Sequence, residues 1–190
     1  MSAASSFQQL IERAKTRRGA RVSGLLGLGA AHVAWSMALA AKKPVVFVCR
    51  GQVVDDVMRD LRFVAGPERA ARVLSLPADE RTPYHATSPD PLVVMERSAT
   101  LHKLATGNAF DVLVVPAESV CRRGVPFSEH QRMAETVVVG EDIDRTALQR
   151  KLAVGGYTQV NTVEDPGTFA VRGSIIDVFW AGNDKPLRID

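Results

Sequence analysis

The stretch from Glu164 to Phe179 (EDPGTFAVRGSIIDVF) restricts the possible folds more than any other part of the sequence. Proline fixes φ for the first corner of a turn, and glycine accepts the positive φ that follows, so Pro166-Gly167 predicts a tight turn. The segments on either side are rich in β-forming residues. We therefore expect Thr158–Val163 and Thr168–Val171 to pair as an antiparallel hairpin.

The second half of this stretch presents a charged residue. Arg172-Gly173 interrupts an apolar run, and a glycine between two β-rich segments predicts a bulge or a sharp bend. Ser174–Phe179 then resumes as a strand whose apolar side chains are available for a core. Arg172 is consequently either a displayed functional residue or an ordinary solvated strand residue.

Short apolar runs alternate with helical patterns in the first two thirds of the chain. The predicted strands are Arg21–Ser23, Pro44–Cys49, Val73–Leu76 and Asp111–Val115, and the predicted helices are Ala30–Ala41, Val53–Val64 and Leu92–Ala105. Continuous apolar runs such as PVVFVC are typical of buried parallel strands. The alternation predicts an α/β fold, with a parallel sheet flanked by helices and a ligand crevice at the carboxyl ends of the strands.

The pattern changes after Arg122-Arg123-Gly124. Thr136–Val139 is predicted to be a strand, Asp144 is expected to cap a helix through Val154, and three β segments follow. We therefore expect a first α/β domain over residues 1–125. A smaller α+β domain with an antiparallel sheet is expected over residues 126–190.

Composition excludes several classes of protein. Hydrophobic residues make up 46% of the chain, which is ample for packed cores, and a net charge of +3 permits a nucleic-acid partner. The 24 basic and 21 acidic residues nevertheless form a mixed surface rather than a phosphate-binding stripe. The spacing of Cys49, Cys121 and the four scattered histidines fits no metal site or disulfide framework. The sequence indicates a reducing cytoplasm, without a signal peptide or membrane span.

The segment Gly24–Ala31 has the outline of a phosphate-binding loop, GxxxxGK[ST]. Gly24 and Gly29 keep both framing glycines, with Gly27 between them, but Ala30 replaces the lysine and Ala31 replaces the hydroxyl residue. Those two positions normally contact the phosphates and Mg²⁺. We therefore expect no ATPase activity, no catalytic or metal site and no cofactor; the alternative is that the glycines only form a tight turn with close helix packing.

The order of these features resembles the N-terminal UvrB-homology module of the bacterial transcription-repair coupling factors, the Mfd family. The resemblance spans roughly residues 22–190. It is carried by Thr82-Pro83-Tyr84, Ser88-Pro89, Glu96-Arg97, Thr100-Leu101-His102 and, most specifically, the block Gly155–Gly182. UvrB, an excision-repair protein, shares the pattern of Gly167–Phe179. It has an intact phosphate loop and a DNA-gripping hairpin, both of which this chain lacks.

The resemblance implies a degenerate P-loop NTPase-like domain similar to UvrB domain 1a, followed by a domain similar to UvrB domain 2. It implies a non-catalytic module that imitates UvrB, binds UvrA and recruits nucleotide excision repair to stalled RNA polymerase. By the family's motif, the UvrA-binding residues are Arg172 and Arg188. The RNA-polymerase-binding domain and the double-stranded-DNA translocase motor of the family lie outside this chain. We therefore expect a fragment whose first domain lacks closing segments.

Two other functions remain open from the sequence. One is a UvrB-type phosphate-loop ATPase, which nucleotide-induced stabilisation would support. The other is a DNA-binding module that acts through Arg13–Arg21 and Arg122-Arg123, for which salt-dependent DNA binding would be diagnostic.

Overall fold

The computed structural model describes residues 9–13, 16, 19–78, 90–180, 182–183 and 185–190. The motifs Thr82-Pro83-Tyr84 and Ser88-Pro89 lie outside the described residues, and Arg13–Arg21 is described only in part. The chain divides into two compact units. The first comprises residues 1–76 and 109–121, and the second comprises residues 77–108 and 122–190.

Helices and strands alternate along the first unit and part of the second. The helices are α1 (Gly29–Ala41), α2 (Val54–Ala65), α3 (Pro91–Ala105), α4 (Ala117–Val120), α5 (Phe127–Met133) and α6 (Arg145–Val154), with 3₁₀ turns at Gly51–Val53 and Ala70–Arg72. The strands are β1 (Val45–Cys49), β2 (Val73–Ser75), β3 (Val112–Pro116), β4 (Thr158–Gln159), β5 (Thr168–Arg172), β6 (Ile175–Phe179) and β7 (Leu187–Ile189).

The first unit contains a parallel sheet in the order β1-β3-β2. All five residues of the central strand β3 are buried. Helix α1 contributes buried residues such as Trp35 to the core, and α2 contributes Leu61, which is fully buried. These helices cover one face of the sheet because the residues packed against them, such as Val45 and Phe47 of β1, alternate with exposed Val46 and Val48. The predicted α/β fold with a parallel sheet is thus confirmed.

Two predictions for this region were wrong. Arg21–Ser23 is not a strand, so the sheet contains three strands among the described residues instead of four. The helix predicted over residues 92–105 is present as α3, but it belongs to the second unit rather than to the parallel sheet. A helical pattern in the sequence identifies an amphipathic helix without identifying the surface that it covers.

Helix α3 packs within the second unit where neighbouring segments come close to it. Asp90 caps its first turn, with Oδ1 accepting a hydrogen bond from the Leu92 amide at 2.9 Å. Gly167 lies so close that a Cβ there would be 3.0 Å from Met95 Cγ, which only glycine avoids. Gln131 of α5 donates through Nε2 to the carbonyl of Ala105 at 2.7 Å. Helix α3 is therefore part of the core of this unit.

The second unit contains a four-stranded sheet in the order β4-β5-β6-β7. Strand β6 is antiparallel to both of its neighbours, β5 and β7, but β4 runs parallel to β5. The sheet is therefore mixed, and the expected hairpin between Thr158–Val163 and Thr168–Val171 was wrong. Gly167 donates to the Phe179 carbonyl at 2.7 Å, so β5 starts in register with β6. Its other edge then accepts β4 in the parallel direction.

The hairpin of this sheet connects β5 to β6. Arg172 pairs with Ile175, so Gly173 and Ser174 form a two-residue loop. Gly173 has a φ of +62°, which the mirror-image turns of tight hairpins require at their first central position. The sharp bend predicted at Arg172-Gly173 is therefore the hairpin turn itself, and it places Arg172 at the last position of β5.

The segment before helix α6 also differs from the prediction. Thr136–Val139 is not a strand, and the Val139 side chain is fully exposed. β-Forming residues make a strand only where a neighbouring strand is available to pair with them, and propensity alone does not provide that neighbour. The predicted cap of α6 is confirmed, because Asp144 Oδ1 accepts a hydrogen bond from the Ala147 amide at 3.0 Å.

Candidate protein-binding surface

Arg172, Asp177 and Arg188 lie on one face of the small sheet. Residues that pair across neighbouring strands point to the same side, and side chains alternate along each strand. Asp177 pairs with Ala170 on β5 and with Arg188 on β7. Arg172 lies two residues beyond Ala170 and therefore shares that face. We refer to Arg172, Asp177 and Arg188 as the charged triad.

The opposite face of the same sheet is apolar. Phe169, Ile176 and Val178 are almost completely buried, with exposed fractions of 1–2%. Strands with one buried face and one partly open face are common in antiparallel sheets. Burial of the apolar side fixes the strand register, because a slip of one residue would turn the charged residues into the core. The core thus determines where the two arginines point.

Arg188 is held by a two-point interaction with Asp177. Its Nε donates to Oδ1 at 2.7 Å and its Nη2 donates to Oδ2 at 2.9 Å. The Arg188 side chain is 61% exposed, whereas that of Asp177 is 16% exposed. The hydrogen bond and positive charge of Arg188, with a smaller contribution from Arg172, hold the pKa of Asp177 below its ordinary value. Asp177 in turn raises the pKa of Arg188.

Arg172 is fixed in a different way. Its Nη2 donates to the backbone carbonyl of Asn161 at 2.7 Å, and the side chain is exposed. It lies beside an open cavity of about 660 Å³. The other residues that line this cavity are Gln159, Val160, Asn161, Thr162 and Val171. The cavity is therefore formed by the end of β5 and the loop that follows β4.

Helix α6 supports the hairpin that carries Arg172. Arg145, at the start of the helix, donates through Nη1 to the carbonyl of Gly173 in the hairpin turn. Neither Arg145 nor Asp177 was predicted from the sequence to belong to this surface. The alternation of β6 together with Arg188 on a nearby strand was a signal for Asp177. The contact of Arg145 depends on tertiary packing, for which the sequence carries no local signal.

The two predicted site residues are brought together on one face at a defined separation. From the usual strand spacing and rise, their Cα atoms are about 12 Å apart, across one intervening strand. Arginine forms planar, charge-assisted hydrogen bonds with carboxylates. Arg188 uses Nε and Nη2 for Asp177, and Nη1 lies on the other side of the guanidinium. The surface can therefore bind two acidic groups of a partner at once.

The glycine segment lies in the first unit. Gly24 and Gly27 have positive φ values of 77° and 52°, and helix α1 begins at Gly29. No strand precedes this loop between residues 19 and 28, so the expected strand–loop–helix arrangement is not found there. Ala31 is 4% exposed and contributes to the core. The interpretation of Gly24–Ala31 as a degenerate phosphate loop stays a prediction.

Other reactive groups do not form a cluster in the described part of the chain. Burial and, to a smaller degree, Glu118 raise the pKa of the Cys49 thiol. Neither Cys49 nor exposed Cys121 forms a disulfide. Among the residues described, no three His, Cys, Asp or Glu side chains lie together as metal ligands would. The helices described are too short or too polar to cross a bilayer.

Part of the second unit matches a known protein family. Residues 136–190 match the model of the UvrB interaction domain. This match contains strands β4 to β7, helix α6 and the whole charged triad. Residues 136–190 of the second unit are therefore similar to the UvrB interaction domain.

Curated relatives identify the wider family. The chain is 37% identical over 188 residues to a transcription-repair-coupling factor of Myxococcus xanthus, covering 97% of the chain and 16% of the relative. It is 33% identical over 118 residues to that of Escherichia coli K12, covering 62% of the chain and 10% of the relative. It is 28% identical over 174 residues to that of Bacillus subtilis 168, covering 87% of the chain and 14% of the relative.

These matches confirm the resemblance that the sequence motifs indicated. The chain is related to transcription-repair-coupling factors over nearly its whole length, and it spans about a sixth or less of the length of these relatives.

Proposed function

We propose that this chain is a non-catalytic module of a transcription-repair-coupling factor that binds UvrA and thereby recruits nucleotide excision repair. RNA polymerase and double-stranded DNA would be bound by other parts of the full-length protein, which would be an ATP-dependent DNA translocase acting in the cytoplasm. The names of the relatives and of the matching domain support a role in the coupling of repair. The partner and the binding residues are our own proposals.

The observation that carries this proposal is the position of Arg172 and Arg188, both exposed, on the same face of one sheet. The two side chains are anchored by different acceptors, the Asn161 carbonyl and the Asp177 carboxylate. Two anchored guanidinium groups lose less conformational freedom on binding than two mobile ones, which favours affinity. They also attract an acidic surface at long range, which favours fast association. Such a face suits protein docking.

The binding test uses purified UvrA and the charge-reversal variants Arg172→Glu and Arg188→Glu, measured by calorimetric titration at fixed salt. We expect each variant to weaken binding about tenfold or more, because each places a negative charge opposite an acidic partner. Arg150→Glu is the matched control, since Arg150 is an exposed arginine on helix α6 of the same unit. Wild-type affinity in both triad variants would refute the proposed binding surface.

The proposed lack of catalysis is tested with nucleotide. Ala30 and Ala31 stand where a phosphate loop would need a lysine and a hydroxyl group. We therefore expect Mg²⁺-ATP to leave the thermal unfolding midpoint of the chain unchanged. A concentration-dependent rise in that midpoint would reveal nucleotide binding and would favour the phosphate-loop ATPase instead.

A further inference from the structure

Asp177 is the one residue of the charged triad that repels an acidic partner, yet it lies between the two arginines. Its carboxylate is mostly buried, and both of its oxygens accept hydrogen bonds from Arg188. An acidic partner therefore meets mainly the outer edges of the guanidinium groups. The unfavourable charge of Asp177 is partly compensated by Arg188 and is shielded by it.

Arg188 needs such a contact more than Arg172 does. It lies on β7, a three-residue edge strand, and its side chain is 61% exposed. A long side chain at an edge strand samples many rotamers unless a neighbour holds it, and those rotamers are lost on binding. The two-point bond with Asp177 selects one rotamer before the partner arrives. It also sets the plane of the guanidinium, and that plane determines which carboxylates can bind in a bidentate manner.

We propose that Asp177 is a positioning residue: it holds the guanidinium of Arg188 in the orientation that binds an acidic group of the partner. This inference rests on the proposed function, because it assigns a role within the same binding surface. It predicts that removal of a negative charge weakens the binding of a negatively charged surface. Simple charge attraction predicts tighter binding instead, since loss of the Asp177 charge makes the face more positive.

The test is a double-mutant cycle with Asp177→Asn, Arg188→Gln and the double variant, titrated with UvrA. Asparagine has nearly the shape of aspartate, but its amide nitrogen cannot accept the second hydrogen bond. We expect Asp177→Asn to weaken binding about threefold to tenfold, because Arg188 loses its fixed orientation. When Arg188→Gln is already present, adding Asp177→Asn should not change UvrA affinity further. Arg150→Gln serves as the control, and thermal unfolding verifies that every variant is folded.

A second measurement follows Arg188 without any partner. The Nε–Hε group of Arg188 should give an ordered, exchange-protected NMR signal in the wild-type chain and lose that protection in Asp177→Asn. If Asp177 had a purely structural role, the effect of Asp177→Asn on UvrA affinity would not depend on whether Arg188 is present.

The outcomes separate this inference from the proposed function. If Arg188→Gln weakens binding but Asp177→Asn leaves it unchanged or tightens it, the positioning role is refuted and the binding surface stands. Additive effects in the cycle, or an Nε–Hε signal that stays protected in Asp177→Asn, refute the positioning role as well. If Arg188→Gln leaves the affinity unchanged, both the positioning role and the assignment of Arg188 to the surface are refuted.

Discussion

The two sheets of this chain show opposite uses of a strand. In the parallel sheet of the first unit, the central strand β3 is buried along all five residues and carries only apolar side chains. In the mixed sheet of the second unit, β6 alternates buried Ile176 and Val178 with Asp177. A strand buried on both faces presents no side chain to solvent along its length. A strand with one partly open face can also display charged groups in a fixed register.

The glycine turns of the two units differ in the same way. The loop at Gly24 and Gly27 leads into helix α1, whose second and third residues are Ala30 and Ala31. The turn at Gly173 follows Arg172 directly. Both turns use the positive φ that glycine accepts, but only the second lies next to a charged side chain. On this account, the first unit has a mainly structural role and the second binds the partner.

The largest effect is expected from core truncations in each unit. Leu61→Ala in the first unit and Ile176→Ala in the second each remove a side chain that is at most 1% exposed. Each should lower the free energy of unfolding by about 2–5 kcal/mol, measured by denaturant titration. Among molecules that remain folded, only Ile176→Ala should weaken UvrA binding. Equal losses of binding would contradict the separate roles of the two units.

A smaller loss is expected from alanine at the two glycines that flank β5. Gly167 and Gly173 have φ values of +82° and +62°, so a side chain at either position costs about 1–2 kcal/mol of strain. At Gly167 the added Cβ would also approach Met95 at 3.0 Å, whereas at Gly173 it would meet no neighbour within 4 Å. Gly167→Ala should therefore lower the thermal midpoint more. Equal midpoints would show that Met95 moves aside without cost.

A smaller loss of stability again is expected from Asp111→Asn in the first unit. Asp111 accepts hydrogen bonds from Arg72 Nε and Nη2 at 2.8 and 2.9 Å. The Arg72 side chain is 42% exposed, so the loss should be about 1 kcal/mol or less in denaturant titration. Asp56→Asn is the control, because its pair with Arg59 is far more exposed, and it should be nearly neutral. Equal losses would mean that partial burial adds nothing to the first pair.

The smallest effect is a pH dependence from His130 in the second unit. Its pKa lies below the ordinary 6.5 because of burial, with smaller contributions from Arg97 and His102. Its Nε2 is buried and finds no hydrogen-bond partner in the described structure. A depressed histidine pKa means that the folded state favours the neutral ring. Its stability contribution is complete above about pH 6.5 and is lost as the pH falls toward the folded pKa.

Thermal unfolding between about pH 7.5 and pH 5 measures this dependence. We expect the midpoint to fall with acidification more steeply in the wild-type chain than in His130→Gln. An identical pH profile for both proteins would remove His130 as a contributor.

The sequence predicted elements that are determined by local chemistry. Strands β1 and β3 followed from continuous apolar runs, and helix α6 followed from its Asp144 cap. The sequence also placed Arg172 next to a sharp bend. These features depend on a few neighbouring residues, so a local pattern is sufficient to identify them.

The sequence did not predict features that depend on distant partners. The parallel pairing of β4 is held by hydrogen bonds from the Thr158 and Val160 amides to the carbonyls of Gly167 and Phe169, each nine residues away. Helix α3 lies in the second unit, where Met95 of the helix closely approaches Gly167, 72 residues further along the chain. Asp177 was missed as a site residue because its significance depends on pairing with Arg188. In each case the deciding contact joins segments whose proximity no local pattern encodes.

Hydrogen–deuterium exchange of the chain with and without UvrA tests the central comparison most directly, because it reports on both units in one experiment. We predict that UvrA slows exchange in peptides that cover residues 158–190, including the turn at Gly173 and strand β7. Peptides that cover the glycine segment and helix α1, residues 24–41, should exchange at the same rate in both states. Protection of residues 24–41 without protection of the charged triad would contradict the account.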